Sequence, residues 1–542
     1  MSFRIRFLPE DRSTTADEPL ELFLAAARCD IWVEQPCGSK ATCGKCRVKV
    51  LAGEAPPTPP DRALLTGPEL AEGWRLACQL VLAGDATIDI PPVTRAVAVK
   101  SFGDDHLFDA GFTPNVAAAA AGSPVGIAVD LGSTTLACAL VDLATGRMIA
   151  SSAMLNPQVR FGADVISRIH FAQEHEDGNA ALQLALFTAL GDQVAELCSG
   201  AACALDRVAL IACAGNATMT HLAGRADITP LGQAPYLGLW TDERVLDARD
   251  LDLAVPGEVP VILLPMVRSH VGGDTVAGIL ACDLDRTRRW RLLVDLGTNS
   301  EVVLAGPGRL VATSTAAGPA FEGATIRQGM RASPGAIDAV RVSSDGRVIV
   351  STVANQPPRG LCGSGLVDAV AELRRAGVID ASGYMRRPEE LAEAPASLRD
   401  RVTTEPSGQR AFRVANGVSL TAQDVRQLQL AKGSIAAGMA LLLAHCRITA
   451  ADLDEVLIAG AFGNFLRKSS ALDIGLVPGL DPESVRFVGN AAGIGARMVL
   501  VDRAARERAG AAARRCEYVE LGGHPGYEEA FCRALALGRF EV

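Results

Sequence analysis

The chain has 542 residues, 49% of them hydrophobic and 21% charged, with a formal net charge of −10. This is ordinary globular usage and excludes a wholly disordered polypeptide. With no block of Lys and Arg and only 4% aromatic residues, neither the basic surface nor the stacking platform of a nucleic-acid binder is in evidence, and no nucleic-acid partner is expected.

The length allows about three or four domains. The opening residues, MSFRIRFLPE, hold no apolar run of the kind a secretory signal needs. No apolar stretch approaches the roughly 20 residues of a membrane-spanning helix. A cytoplasmic protein without a membrane partner is expected. Fourteen cysteines in such a chain point to metal binding rather than to disulfides.

In chain order, residues 1–93 read as a small β-rich domain. Residues 2–8 (SFRIRFL) alternate with period two, as a half-buried strand does. Residues 20–27 read as a short helix, 47–51 and 86–90 as further strands, and 56–61 (PPTPPD) as a rigid loop. Residues 94–124, with Pro114 and an Ala-rich run at 117–121, read as a partly helical linker. From residue 125 the pattern changes to buried strands (126–130, 136–142, 208–214, 292–295, 301–304, 455–460) alternating with helices (181–197, 433–446). That alternation predicts α/β architecture, divided here into 125–205 and 206–542. The first piece is either a separate middle domain or the first lobe of a larger unit.

Cys37, Cys43 and Cys46 fall in CGSKATCGKC, and Cys78 follows in RLACQ, a C-x5-C-x2-C-x31-C spacing. Three thiolates on one tight loop plus one distant thiolate suit a [2Fe–2S] cluster. A four-thiolate zinc site is the alternative, although zinc usually pairs its cysteines two and two. The motif and the elements around it resemble the plant- and adrenodoxin-type ferredoxins. The resemblance implies a β-grasp fold and one-electron transfer, with Ser39 and Ala41 standing where such loops often carry Gly. Of the other ten cysteines, Cys29, Cys138, Cys198, Cys203, Cys213, Cys282, Cys446, Cys516 and Cys532 are expected to act as small core hydrophobes. Cys362, in GLCGSG, sits either in the core or at a ligand-facing turn.

Residues 126–135 (GIAVDLGSTT) form a buried strand that ends in Asp130, then Gly132, Ser133 and Thr134. An Asp at a strand end can hold Mg²⁺ directly or through water, and Gly and hydroxyl residues can approach a phosphate. A single copy also fits a plain hairpin turn. The layout recurs, however, at 294–300 (VDLGTNS), with Asp295, Gly297, Thr298 and Asn299. Two such turns can clamp one polyphosphate. A later strand runs into Gly460 and Gly463 (VLIAGAFGNF), where backbone can pass close to a nucleoside. Residues 358–366 (PRGLCGSGL) add a Gly-rich turn opening a helix. Together these resemble the ASKHA superfamily, which implies two RNase-H-like lobes with ATP between them.

The ferredoxin-plus-ASKHA order, with segments such as NPQVRFGADVISRI, GNATMTHL, VGGDTVAGILA, GPAFEGATIRQGM and IAGAFGNF, resembles the reductive activators of corrinoid-dependent methyltransferases. Ser300 stands where that family pattern has a small Gly. The resemblance implies ATP-dependent reduction of inactive cob(II) to cob(I) on a corrinoid protein, with the electron coming from the [2Fe–2S] cluster and an upstream low-potential reductant recharging it. It also implies a homodimer through the nucleotide unit. Cys37, Cys43, Cys46 and Cys78 would then ligate the cluster, and Asp130 and Asp295 would hold Mg²⁺ or the attacking water. Gly132, Ser133, Thr134, Gly297, Thr298 and Asn299 would contact phosphates, while Gly460 and Gly463 would flank the adenosine.

Asp274, in GGD, is either a further Mg²⁺ or water ligand or a helix N-cap. Glu322 and Arg327 either line the cleft or form an ion pair. Asn216 and His221 either face the cleft or are satisfied buried polar groups. The rival functions are a small-molecule kinase with an accessory redox domain, an activase of 2-hydroxyacyl-CoA dehydratases, which lacks an N-terminal ferredoxin, and a nucleotide-binding redox sensor.

Overall fold

The structure is a computed structural model. It describes residues 2–9, 11–29, 31, 33, 41, 44, 46–91, 102–103, 105–108, 111–116, 124–253, 255–405, 407–460 and 466–539. The first domain is a five-stranded sheet in the order Arg12–Ala16, Phe3–Leu8, Ala86–Asp89, Arg47–Ala52, Trp74–Leu76. Phe3–Leu8 runs antiparallel to Arg12–Ala16 and parallel to Ala86–Asp89. Its alternation puts Ile5 and Phe7 fully inside and Arg4 and Arg6 outside. Helix Leu22–Ala27 contributes Leu22, Ala25 and Ala26 to the same core, as in a β-grasp domain. The expected loop at 56–61 is shorter than anticipated, because helix Pro59–Leu64 starts inside it. Thr58 and Asp61 form a reciprocal cap, and a Pro in the first turn is already set at a helical φ.

Two six-stranded sheets follow, and they share a plan. In the first, Val125–Leu131, Thr135–Asp142 and Met148–Leu155 are consecutive antiparallel neighbours. Val208–Gly215 lies parallel on the other side of Val125–Leu131, followed by Pro260–Leu263. In the second, Arg291–Asp295, Ser300–Gly306 and Arg309–Thr315 repeat the antiparallel run. Glu455–Ala459 and then Val485–Gly489 add on in parallel. The two VDLG segments therefore occupy the same place in two copies of one RNase-H-like lobe. The division expected at residue 205 falls within the first sheet, just before its strand Val208–Gly215.

Each lobe buries its sheet between helices. Gly178–Gly200 covers one face of the first sheet, with Leu182, Leu186 and Leu190 packed on Val129 and Ile211. The helix expected at 433–446 begins earlier and spans Ala422–Cys446, because Thr421 and Asp424 cap it. It is long and apolar enough to cross a membrane, yet 78% of its most apolar stretch is buried in the protein.

Two helices join the lobes. Gly273–Ala281 runs from the first sheet toward the second, and Ala491–Val501, late in the chain, packs back onto the first sheet through Ala496, Val499 and Leu500. They cross at Gly495, where a Cβ would lie 2.1 Å from the Ala277 carbonyl oxygen, so only Gly allows this approach. The described parts of the linker dock on this junction. Arg497 is fully buried and donates to the Gly146 oxygen (2.6 Å) and, at 3.4 Å, to the Phe102 and Gly103 oxygens. Asn115 Nδ2 donates to the Val499 oxygen at 2.7 Å. The Ala-rich run of the expected linker lies outside the described residues.

A candidate nucleotide cleft and cluster site

The first turn is the hairpin loop between Val125–Leu131 and Thr135–Asp142, so the plain-hairpin and phosphate-turn readings describe the same object. Asp130 is the last residue but one of the first strand and is buried. The carbonyls of the turn are tied from behind by the NPQVRFGADVISRI segment. Asn156 Nδ2 donates to the Gly132 oxygen at 3.0 Å, the Asn156 amide donates to the Thr134 oxygen at 2.9 Å, and Arg168 donates to the Ser133 oxygen. Arg168 is fully buried and also donates to Gln158 Oε1 and the Gly162 oxygen, both at 3.0 Å. Burial lowers its pKa to about 9.

The second turn occupies the matching place in its own lobe and is braced differently. Ser300, in the place of the expected Gly, is fully buried, and its hydroxyl donates to the Gly297 oxygen at 3.2 Å, stapling the turn. Gly460 has a φ of +98°, and a Cβ there would lie 2.5 Å from the Leu296 oxygen and 3.1 Å from Asp295 Oδ1. The late Gly turn thus presses directly on the second turn, and the left-handed backbone explains why the position is Gly. Gly463 lies outside the described residues. Asn299 is exposed.

Acidic groups from both lobes meet at the junction. Asp274 is the second residue of helix Gly273–Ala281, whose N-cap is Gly272, so Asp274 is not the cap. Its Oδ1 accepts from the Thr275 amide at 2.7 Å. Burial first, then the charge of Asp295 and, more weakly, that of Asp130 push the Asp274 pKa up to about 7. Glu301 sits directly opposite Asp295 in the hairpin register. Burial and the charges of Asp274 and Asp295 push its pKa well up too. Like charges held this way favour a cation among them. Among the described residues no three His, Cys, Asp or Glu side chains converge at metal-ligand distance.

A cleft runs between the lobes, and its walls include Thr134 of the first turn and Thr298 of the second, with Asp164, Glu322 and Arg331. Thr298 Oγ1 donates to Glu322 Oε1 at 2.9 Å. That bond uses the one hydroxyl proton of Thr298, leaving the backbone N–H groups and the Asn299 side-chain amide as the donors this turn can offer a phosphate. Glu322 therefore lines the cleft. Arg327 does not: its guanidinium pairs with Glu405, and its amide donates to Asp424 Oδ1 at 2.6 Å.

His221 proves to be a satisfied buried group, while Asn216 is half-buried. Asn216 caps helix Ala217–Ala223. The His221 ring contacts the Ala217 oxygen through Nδ1 (2.7 Å), accepts from the Leu239 amide through Nε2 (2.9 Å) and stacks on Trp240. Burial lowers its pKa. Cys362 is the buried N-cap of helix Gly363–Arg375, and the first turn of that helix packs on strand Ala336–Val342 through the Ile337 and Asp338 oxygens.

At the other end of the molecule, Cys46 directly precedes strand Arg47–Ala52, and Cys78 follows its partner strand Trp74–Leu76. Arg47 pairs with Leu76, and the Ala77 amide donates to the Cys46 oxygen at 2.7 Å. Thiols 32 positions apart in the sequence are thus brought to one edge of one core. Ala41 adopts a left-handed φ of +53°, the conformation a Gly would take without strain. Cys37 and Cys43 lie outside the described residues. Two soft thiol donors on an apolar edge fit an iron–sulfur cluster. Burial pushes the scattered thiols of Cys213, Cys282 and Cys516 up to about 12, as inert core residues. Cys532, by contrast, is exposed, so its expected place in the core is corrected.

Three family models cover the chain: a 2Fe-2S iron-sulfur cluster binding domain at residues 5–83, the RACo middle region at 125–287, and the C-terminal domain of RACo, the ASKHA domain, at 289–542. The corrinoid activation enzyme RamQ of Eubacterium limosum is 34% identical over 421 residues, covering 76% of this chain and 70% of that protein. This chain belongs to the family of reductive activators of corrinoid proteins. Another relative, the [Co(II) methylated amine-specific corrinoid protein] reductase of Methanosarcina barkeri, is 26% identical over 69% of this chain and 70% of its own length. The solved reductive activator for corrinoid, iron–sulfur protein superposes with a TM-score of 0.69 at 28% identity, covering 99% of this chain and 98% of its own.

Against that family frame, sequence reasoning missed four side chains. Glu301 could have been found by closing the VDLGTNSE hairpin symmetrically, which puts it opposite Asp295. Asn156 and Arg168 were noted only as part of a motif, since their targets are backbone oxygens 24 and 35 residues away. Arg331 had no local signal.

Proposed function

We propose that this chain returns an inactive cob(II) corrinoid protein to cob(I) at the expense of ATP, one electron at a time. The observation that carries this reading is the match to a reductive activator along 99% of the chain, ferredoxin domain and both lobes together. The names of these two relatives point to corrinoid proteins as what they act on.

In this reading residues 1–93 deliver the electron, residues 94–124 connect, and everything from residue 125 grips nucleotide and partner. Cys37, Cys43, Cys46 and Cys78 would hold the [2Fe–2S] cluster, which supplies a one-electron couple when bound. Cys46 is buried and Cys78 half-buried on an apolar edge. Asp130, Asp295 and Asp274 would hold Mg²⁺ through its waters. The turns at Gly132–Thr134 and Gly297–Asn299 would take the phosphates, with Gly460 and Gly463 beside the nucleoside.

Because the two turns belong to different lobes, a polyphosphate spanning them binds one inter-lobe arrangement better than others. Hydrolysis removes that bridge. The crossing helices at Gly495 transmit the change to the docked linker, because Arg497 and Asn115 fasten the linker to the second of those helices. A kinase reading has no observation in its favour.

The test is reactivation. A corrinoid methyltransferase mixture is oxidised to cob(II) and supplied with a strong reductant, with or without this protein and MgATP. Methyl transfer should resume only with both. Recovery without ATP, or none with it across several corrinoid proteins, would overturn the reading.

A further inference from the structure

Glu322 stands apart from the other acids of the cleft. Asp295 raises the proton affinity of both Asp274 and Glu301, which suits residues that share a cation. None of them figures among the groups acting on Glu322, where the one charged neighbour is Arg331. One oxygen of Glu322 is fixed by the Thr298 hydroxyl at 2.9 Å. The other, Oε2, is buried and has no hydrogen-bond partner. A buried carboxylate oxygen without a donor is costly and needs a reason. Glu322 lies on the wall of the cleft between the lobes, beside Thr134 and Thr298 of the two turns, and burial raises its proton affinity.

We propose that Glu322 takes the proton from the water that attacks the γ-phosphate, as the catalytic base of ATP hydrolysis. The water oxygen bonds to the γ-phosphorus, the bond from that phosphorus to the bridging oxygen of ADP breaks, and the water proton passes to the Glu322 carboxylate. Inorganic phosphate and ADP leave, and the proton returns to solvent. The Thr298 bond aims the carboxylate, so the turn that meets the phosphate also orients the base. Raised proton affinity matches the task, since a base works best when its pKa approaches the working pH. The inference rests on the reading that this cleft binds ATP.

A carboxylate that merely braced Thr298 would look similar, and Glu322→Gln separates the two roles. Gln keeps the volume and an oxygen that accepts from Thr298, but it is not a base. The experiment measures MgATP affinity by calorimetry and phosphate release in a single turnover, for the wild type, Glu322→Gln and Glu322→Asp. The expected result for Gln is a loss of about 10²–10⁴ in the hydrolysis rate with affinity little changed and ATP recovered intact from the protein. The Asp variant should retain measurable hydrolysis.

Hydrolysis by Glu322→Gln at the wild-type rate would overturn the proposal, as would equal rates for the Asp and Gln variants. Loss of ATP affinity in the Gln variant would overturn it too, by assigning Glu322 to binding. A wild-type protein that neither binds nor cleaves ATP would instead remove the nucleotide reading beneath it.

Discussion

Replacing Arg168 with Met sets two large opposing terms against each other. The guanidinium is fully buried, and no carboxylate is among its hydrogen-bond partners. Its pKa of about 9, against an ordinary 12.5, corresponds to about 5 kcal/mol of unfavourable charge burial. Removing the charge relieves that cost at any pH below about 9, where both folded and unfolded chains hold the proton. It also strips donors from three oxygens, those of Ser133, Gly162 and the Gln158 side chain. Each left unmet costs about 1–3 kcal/mol. The terms nearly offset, so the melting temperature should move by less than about 10 °C.

The first turn, however, loses the bond that pins its Ser133 carbonyl. MgATP affinity should therefore fall by more than tenfold while the fold survives. Calorimetric titration with MgATP beside thermal unfolding reads both. A large fall in melting temperature with affinity intact would refute the reasoning, since Arg168 would then serve the core rather than the turn.

Asp274 makes nucleotide-free stability depend on pH. Its folded pKa of about 7 lies above the ordinary 3.8, so between those values the unfolded chain loses a proton that the folded chain keeps, and stability falls as pH rises. In EDTA, Asp274→Asn should melt higher than the wild type at pH 8 and match it below pH 4. Gly495→Ala puts a methyl group where the Ala277 oxygen lies 2.1 Å away. Such overpacking costs about 1–3 kcal/mol or more, and ATP binding and melting temperature should fall together. Cys46→Ser should abolish the visible absorption of the reconstituted cluster while leaving MgATP affinity unchanged, because the cysteine edge belongs to a different core from the cleft. Loss of ATP binding in that variant would count against separate sites.

Much of this was readable in the sequence because the decisive features are local. The cysteine loop, the Asp-x-Gly turns and the strands feeding them are contiguous motifs, and the echo of VDLG at 129 and 294 marks a duplicated lobe. What escaped was set by tertiary packing. Arg168 and Asn156 look like ordinary helix and loop residues until their targets, the Ser133 and Gly132 oxygens, come into view. Glu322 acquires its character from burial against Thr298. The early start of Ala422–Cys446 was legible in Thr421-x-x-Asp424 but was outweighed by the more apolar residues that follow. His221 could equally well have faced a cleft until the Leu239 amide was found on its second nitrogen.

The central claim, that ATP bound between the lobes drives electrons from the N-terminal domain to cobalt, is met most directly by stopped-flow spectroscopy under anaerobic conditions. The prereduced protein, with its cluster reconstituted, is mixed with a corrinoid protein held as cob(II), with and without MgATP, and the cobalt bands are followed. The account predicts conversion to cob(I) that requires MgATP, is lost in Cys46→Ser and is strongly slowed in Arg168→Met. Cob(I) forming equally fast without nucleotide, or with the Cys46→Ser protein, would contradict it.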